Sequence, residues 1–436
     1  MIALGLAACA PQGNERDRPH RAGDKPDLPQ LNTRVPAGHT AWSNDSLATL
    51  FVHLTHDLEW GARRPHLVRY EAPIRVGLTG PGSRQYAGFL DRFLGNLRAQ
   101  TGIDIARGAA PQNLLIRFVP GSAFRAKVPQ HFCVVAPGRL DWPTFRKDPV
   151  RFGTRAFETA RNLDAMTVFI PDNAEPWLVR VCLIEEITQG LGPANDLYGL
   201  GPSIFNDDAA YVWPTRLDYL MLRVLYQPEM RTGLNRQATR ARAREVLARL
   251  NPSGAGAPPL PRLRIREMRD WAEILRDAFD RSASIGTRRG AARKAVDLAR
   301  TRAPRSAFHC HSLTVLARLY RQSPKDERAL LNRAMTVCTS AHGTDVRSAK
   351  LVLEKARATF RAGQPGAAYG LTEKLEQRLA GFALEERLVA LYALQAASLR
   401  AIQQPREAAE IRRKAIEWGS YALGRDHPDV LRLTNN

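Results

Sequence analysis

Residues 181–208 read VCLIEEITQGLGPANDLYGLGPSIFNDD and give the strongest indication of the fold. The apolar positions before and between the polar ones predict a helix from Pro176 to about Gly190, which ends at a Gly-Pro turn. On this helix Glu185 and Gln189 are four residues apart, so their side chains share one face. The polar residues of this face and of the turn after it are therefore the first candidates for a functional site.

The segments on the N-terminal side of this helix alternate between helical and strand patterns. Apolar residues recur at helical spacing in residues 46–60 and 86–100. Four runs have the alternating or continuous apolar character of strands: Ile74–Leu78, Leu114–Val119, Phe132–Val135 and Met166–Ile170. This order predicts an α+β domain over residues 40–235, with its sheet packed on the polar helix.

The end of this domain is predicted from a helix cap and a linker. Thr215 is a suitable N-cap, and Asp218 stands three residues later at the capping-box position before an apolar run. Residues 236–262 contain a basic helix, from Ala238 to Leu250, and then a Pro- and Gly-rich linker.

Residues 263–436 contain helical patterns only, and these patterns repeat. The Gln-Pro pairs at 364–365 and 404–405 stand 40 residues apart, and an Ala-rich helix follows each pair. A period near 40 residues predicts stacked helix pairs. Residues 415–430 resemble the long-type tetratricopeptide repeats of kinesin light chains, and this resemblance implies that the array binds a protein or peptide.

The first ten residues, 1–10, read MIALGLAACA, which resembles the end of a secretory signal. Residues 6–9 resemble the bacterial lipobox, in which the cysteine, here Cys9, is acylated and becomes the mature N-terminus. Residues 11–38 are rich in Pro, Gly and charged residues and predict a disordered tether. The expected location is the periplasmic side of the cell envelope, with a lipid anchor in a membrane. The alternative is an ordinary apolar N-terminus.

The formal charge of +21 arises mainly from arginine, which supplies 55 of the 64 basic residues. Such a charge suits either an anionic partner or basic residues spread over solvated faces. Aromatic residues do not interleave with a basic stripe, so we favour the second interpretation and expect no specific nucleic-acid partner. The sequence has no run of about 18 apolar residues, so no transmembrane helix is expected.

The chain has five cysteines, which leaves one over after pairing, and Cys9 is the obvious odd one. Cys133 lies on a predicted strand and Cys182 on the polar helix, so a disulfide in an oxidising compartment would tie the helix to the sheet. Cys310 and Cys338 would join two helices of the repeats. The alternative for each pair is two buried free thiols.

The segment from Glu185 to Asn195 resembles the active-site helix of metzincin-type zincins, H-E-x-x-H-x-x-G-x-x-H. In those metallopeptidases the histidines bind zinc and the glutamate polarises the zinc-bound water. Glu185 stands at the first His position, Glu186 at the general base and Gln189 at the second His position. Gly192 matches the turn glycine, and Asn195 falls at the third His position.

A second part of the resemblance lies further along the chain. Ser203-Ile204-Phe205 resembles the Ser-Ile-Met turn beneath the metal of these enzymes, with Phe205 in place of Met. On the E-E-x-x-Q-x-L-G, N-D and S-I-F-N-D signature, residues 40–235 are identified as a member of the bacterial domain-of-unknown-function family 2927. The resemblance implies a zincin-like fold.

The exchanged ligands leave three interpretations open. Because imidazole suits zinc whereas carboxylate and amide oxygens suit harder ions, we expect no catalytic zinc and no cofactor, and a hard divalent cation is the alternative. The domain is a degenerate peptidase kept for binding, or it is an atypical metal-dependent peptidase or hydrolase with Glu186 as base. In the third interpretation Gln189 and Asn195 only fix the following loop. Asp207 and Asp208 then cap the next turn.

These observations together predict an envelope lipoprotein with a degenerate zincin-like domain and a helical-repeat domain. We expect it to act as a binding or scaffold protein, and an enzyme is the second hypothesis.

Overall fold

The computed structural model describes most of the chain, as two compact units. The described residues are 42–58, 61–108, 111–129, 131–197, 203–206, 211–259, 265–280, 282–343, 346–381 and 384–435. One unit lies within residues 42–259 and the other within residues 265–435. Cys9, the predicted tether and the acids Asp207 and Asp208 lie outside the described residues.

Most strands of the first unit are separated by helices, and in the described residues three α-helices follow the last strand. Its strands are β1 (Ile74–Thr79), β2 (Ile105–Arg107), β3 (Leu114–Val119), β4 (Val134–Pro137) and β5 (Met166–Pro171). Its α-helices are α1 (Asn44–His56), α2 (Ala87–Thr101), α3 (Gly121–Lys127), α4 (Trp142–Phe145), α5 (Arg155–Thr159), α6 (Pro176–Gly190), α7 (Arg216–Leu225) and α8 (Arg236–Leu250).

The strands form a mixed five-stranded sheet in the described residues, in the order β2-β1-β3-β5-β4. Four strands are parallel, whereas β4 runs antiparallel to β5, with Val134 opposite Phe169. Parallel neighbours need crossover connections, and α2 lies between β1 and β2 in the chain. The unit is therefore α/β and not α+β as expected, because helices alternate with mostly parallel strands.

The predicted strands are present, with small shifts at their ends. β3 has the predicted bounds, and all six residues of β5 are buried, as expected for an apolar run inside a parallel sheet. β4 begins two residues later than predicted, at Val134. The pattern gives no sign of β2, because three residues are too few to show an alternation.

The polar helix α6 packs on the sheet beside β4 and β5. At its C-terminal end, a Cβ added to Gly190 would lie 3.6 Å from Val135 Cγ2, so the helix approaches the sheet closely here. Cys182 of α6 forms a disulfide with Cys133, and their Cα atoms are 6.0 Å apart. The disulfide therefore joins the helix to the residue directly before β4.

The helix α8 packs against α1 and is part of the first unit. The Pro- and Gly-rich stretch after it contacts the same unit through its backbone. Ser43 N donates to Pro258 O over 2.9 Å, and Asn44 Nδ2 donates to Asn251 O over 3.1 Å. The described part of the predicted linker, residues 251–259, is thus held in place.

The described residues of the second unit form helices joined by short connections. They are α9 (Ile265–Phe279), α10 (Ile285–Arg302), α11 (Ala307–Arg318), α12 (Pro324–His342), α13 (Val346–Arg361), α14 (Pro365–Thr372), α15 (Leu375–Gly381), α16 (Glu385–Ala401), α17 (Pro405–Ala422) and α18 (Pro428–Asn435). Neighbours in the chain pack against each other, and the disulfide between Cys310 and Cys338 joins α11 to α12. Every helix in the described part of the chain is too short or too polar to span a bilayer.

Equivalent helix ends recur in this unit. Gln364 and Gln404 are N-caps with nearly the same backbone angles (φ −115°, ψ 65° and φ −112°, ψ 71°), and proline follows each of them. Gly343 and Gly424 follow α12 and α17 with φ of +62° and +104°. The spacing of 40 residues between the Gln-Pro pairs therefore corresponds to two helix N-termini with the same local backbone geometry.

Candidate functional site

The polar face of α6 lies in the last two turns of the helix. Glu186 and Gln189 are 7% and 8% exposed, and Glu185 is half-buried. Pro176 stands in the first turn, where a missing N–H costs no hydrogen bond. The helix spans Pro176–Gly190, as predicted. It places Glu185 and Gln189, four residues apart, on one face.

A second carboxylate, that of Asp196, lies beside this face. Gln189 Nε2 donates to both Asp196 oxygens over 3.1 Å. Burial, followed by repulsion from Asp196, raises the pKa of Glu185 to about 8. Burial and the nearby charge of Asp196 therefore favour the protonated form of the Glu185 carboxyl group.

The chain reverses direction in the α6 turn, which we define as residues 190–197. Gly192 has a φ of +139°, a backbone conformation that favours glycine. A Cβ at this position would lie 2.8 Å from Leu225 Cδ2 and 3.0 Å from Val68 O. Both the backbone angle and the close neighbours therefore require glycine here.

Two side chains from distant segments hold the carbonyl groups of this turn. Arg64 Nη2 donates to Gly192 O over 2.7 Å, and Tyr226 Oη donates to Leu191 O over 2.9 Å. Carbonyls at a helix end lack intrahelical partners, so these bonds replace water. Burial lowers the pKa of Arg64 to about 10, which leaves it charged at neutral pH. No local sequence pattern predicts the bond from Arg64 to Gly192, because these residues are 128 positions apart in the chain.

Asn195 connects the α6 turn to α1. Its Nδ2 donates to His53 O over 2.8 Å, and Asn195 is 4% exposed. His53 lies in the last turn of α1, so Asn195 satisfies a carbonyl that the helix leaves open. The His53 ring contacts Asp57, and Arg236 donates to the same carboxylate. Burial would raise the pKa of Asp57, but the hydrogen bonds from His53 and Arg236 outweigh it and lower the pKa to about 2.

One buried carboxylate holds the turn that begins at Ser203. Asp218 accepts hydrogen bonds from Ser203 Oγ, from Ile204 N over 3.1 Å and from Thr215 N over 2.6 Å. Thr215 is the N-cap of α7 and accepts from Asp218 N, so the predicted capping box is present. Burial outweighs these hydrogen bonds and raises the pKa of Asp218 to about 6. The cap was predictable, whereas its bonds to Ser203 and Ile204 were not.

Phe205, the residue at the Met position of the resemblance, is fully buried. Its carbonyl accepts a hydrogen bond from Leu197 N over 2.8 Å. The turn that contains Ser203 and Ile204 thus lies against the end of the α6 turn.

The side chains at the predicted ligand positions do not fit zinc. Two of the three are amides, and both donate their N–H groups, Gln189 to Asp196 and Asn195 to the carbonyl of His53. Structural and catalytic zinc sites use thiolate, imidazole and carboxylate. Within the described ranges, no group of three or more His, Cys, Asp or Glu residues is arranged to hold a metal ion. The arrangement instead offers proton exchange at Glu185 and a fixed polar surface.

The fold and the site together define a class of protein. It combines an α/β unit, in which a helix with E-E-x-x-Q packs on a mixed sheet, with a unit whose described residues are mainly helical. Residues 44–245 match the family model described as protein of unknown function (DUF2927), and this range contains every site residue described above. The match supports the family predicted from the signature for this part of the chain. No curated protein matches the chain.

Proposed function

We propose that the protein is an envelope-associated lipoprotein that combines a degenerate zincin-like domain with a helical-repeat domain that binds a protein or peptide. One observation carries the proposal: the amides at two positions of metal-binding imidazoles are engaged in hydrogen bonds. Gln189 donates to Asp196, and Asn195 donates to the carbonyl of His53. The polar face of α6 thus stabilises a loop, which suits a domain kept for binding.

Three features support a zincin-like frame for the first unit. Glu185, Glu186 and Gln189 lie on a single helix that ends at a turn glycine with positive φ, Gly192. The turn at Phe205 is buried and bonded to the end of the α6 turn. These are the parts that the resemblance requires apart from the histidines.

The disulfides support a location in an oxidising compartment. Cys133–Cys182 and Cys310–Cys338 lie in different units, so both units contain one. Disulfides persist outside the cytosol and are rare within it. A cell-envelope location agrees with the lipobox-like sequence at Cys9, through which a lipid would attach the chain to a membrane.

Histidines restored at the three ligand positions test the zincin-like frame. We expect the triple variant Glu185→His, Gln189→His and Asn195→His to bind stoichiometric zinc, as measured by elemental analysis after dialysis. The single variant Glu185→His is the control and should bind none. A triple variant with the far-UV circular dichroism of the wild type but without zinc would show that the frame is not zincin-like.

Lipid attachment and partner binding are tested on the full chain in a bacterial host. Incorporation of an alkyne-labelled fatty acid should occur in the wild type and disappear in Cys9→Ser. A photo-crosslinking amino acid at an exposed position of the helical unit, Thr336, should give a discrete adduct with another protein. Adducts that form only from positions in the first unit, such as Arg98, would contradict binding through the helical repeats.

A second candidate function is a hydrolase with Glu186 as base. The observation that favours it concerns Glu185, the residue next to Glu186 on α6. Burial and the charge of Asp196 raise the pKa of Glu185 to about 8, and shifts of this kind are typical of sites that exchange protons. Digestion of a peptide library by the wild type and by Glu186→Gln distinguishes the two functions. Cleavage that is lost in Glu186→Gln and kept in Glu245→Gln, a surface control, would favour the enzyme.

A further inference from the structure

The helices α12, α13 and α14 enclose a groove with a volume of about 650 Å³, which we call the cationic groove. Lys325 and Arg328 line it from α12, and Lys355 lines it from α13. None of the residues that line it is acidic or aromatic. The volume lies within the range of ligand-binding pockets. The groove therefore presents three positive charges to whatever occupies it.

Two of these cations have no partner within the described chain. The side chains of Lys325 and Lys355 form no hydrogen bond or ion pair with any described residue. Lys355 is half-buried, and a cation that is partly removed from water without a partner loses solvation free energy. Arg328 donates to Gln364 Oε1 over 3.1 Å, so its charge is not neutralised either. An anion in the groove would compensate all three.

The helix ends at the groove also favour an anion. Lys325 lies in the first turn of α12, where the helix dipole disfavours a positive charge. A lysine at this position therefore does not stabilise the helix. The N-cap of α14 is Gln364, which lines the groove and makes no side-chain cap bond. The first N–H groups of α14 therefore have no cap from this residue.

We propose that the cationic groove binds an acidic peptide segment through Lys325, Arg328 and Lys355. This inference rests on the proposed function of the helical unit and names its ligand chemistry. Asn332 and Gln364 supply amide groups that can pair with a peptide backbone, and Leu371 supplies an apolar contact. A single-stranded nucleic acid would need aromatic side chains for stacking, which this groove lacks.

The test uses fluorescein-labelled decaglutamate and the full-length protein, with fluorescence anisotropy as the readout. We expect the variant with Lys325→Glu and Lys355→Glu to bind at least ~10-fold more weakly, because two attractive charges become repulsive. The matched control carries Lys294→Glu and Arg406→Glu. These two residues are exposed, lie outside the groove and give the same change in net charge. The control should bind within about twofold of the wild type.

Three results would overturn the proposal. Equal weakening in both double variants would show that binding follows the overall charge and not the groove. Absence of decaglutamate binding would exclude an acidic peptide as the ligand. Binding of phosphatidylglycerol vesicles or inorganic phosphate that depends on Lys325 and Lys355, without peptide binding, would assign the groove to another anion. If a protein adduct still forms at Thr336 in any of these cases, the proposed function stands and only the groove assignment fails.

Discussion

The α6 turn and the cationic groove are both polar, but they differ in how their polar groups are satisfied. In the α6 turn, Asn195 donates to a helix carbonyl, and Arg64 donates to the carbonyl of Gly192. In the groove, the side chains of Lys325 and Lys355 have no partner among the described residues. Polar groups with internal partners stabilise a fold, whereas charged groups without them are available to a ligand.

The comparison also shows why a motif and a site need not coincide. The signature draws attention to Glu185, Gln189 and Asn195, yet two of these three residues are committed to hydrogen bonds within the first unit. No motif marks the groove, because its cations come from two helices at irregular spacing. The three cations of the groove come together only when α12 and α13 pack against each other.

Asp218→Ala should have the largest effect, because it removes the acceptor of three donors in the buried turn. Unsatisfied buried donors cost about 1–3 kcal/mol each, so we expect a loss of ~4 kcal/mol in the free energy of unfolding. For a unit of this size the melting temperature should fall by roughly 10 °C. Calorimetry of the full chain measures it. Asp91→Ala, which breaks only an exposed ion pair with Arg107, should change it little.

An equal, small effect of the two aspartate variants would contradict the account of the buried turn that begins at Ser203. It would mean that Ser203 and Ile204 are held by something other than the Asp218 carboxylate.

Gly192→Ala should destabilise the first unit by about 2 kcal/mol, because it combines an unfavourable φ with a contact of 2.8 Å to Leu225 Cδ2. Gly95→Ala in α2 is the matched control, since an added Cβ there meets nothing within 4 Å. That change should stabilise the protein by ~0.5–1 kcal/mol, because alanine is the better helix former. Opposite signs in urea unfolding are the expected result, and a destabilising Gly95→Ala would undermine the comparison.

The sequence predicts those parts of this region that depend on neighbours in the chain. Pro176 and the Gly-rich turn mark both ends of α6, and the Thr215–Asp218 spacing predicts the capping box. The bond from Asn195 to His53 joins residues 142 positions apart, and no local pattern contains it. The sequence therefore predicts which side chains are polar and buried, but not which partners they have.

The choice between a metal ligand and a structural hydrogen bond depends on the same point. An amide in a ligand position can offer its oxygen to an ion or its N–H groups to an acceptor. The sequence does not distinguish these two uses, because the residue is the same in both. Only the packed neighbours, Asp196 for Gln189 and the end of α1 for Asn195, show that the N–H groups are used.

Glu185→Gln should have a smaller effect that depends on pH. The pKa of Glu185 rises from 4.5 to about 8 on folding, so its favourable contribution is complete below pH 4.5 and is lost as pH rises towards 8. The variant lacks this titration, so its melting temperature should rise relative to that of the wild type as the pH increases from about 5 to about 8.5. Glu245→Gln, at an exposed ion pair, should show no such trend. A constant difference between variant and wild type at all pH values would show that Glu185 ionises normally.

Lys355→Met should have the smallest effect on stability. The size of this effect tests whether the cations of the groove contribute to the fold. A half-buried lysine without a partner contributes no ion pair to the fold, and methionine keeps much of the length of its side chain. The free energy of unfolding of the helical unit should therefore change by less than ~0.5 kcal/mol. Arg361→Met on the same helix is the reference, because Arg361 Nη2 donates to both oxygens of Glu327, which is 1% exposed. Its loss leaves a buried carboxylate without that partner and should destabilise the unit clearly. Calorimetry at low and high salt measures both variants. If Lys355→Met destabilises the protein as much as Arg361→Met does, the lysine serves the fold, and the distinction between the two regions does not hold.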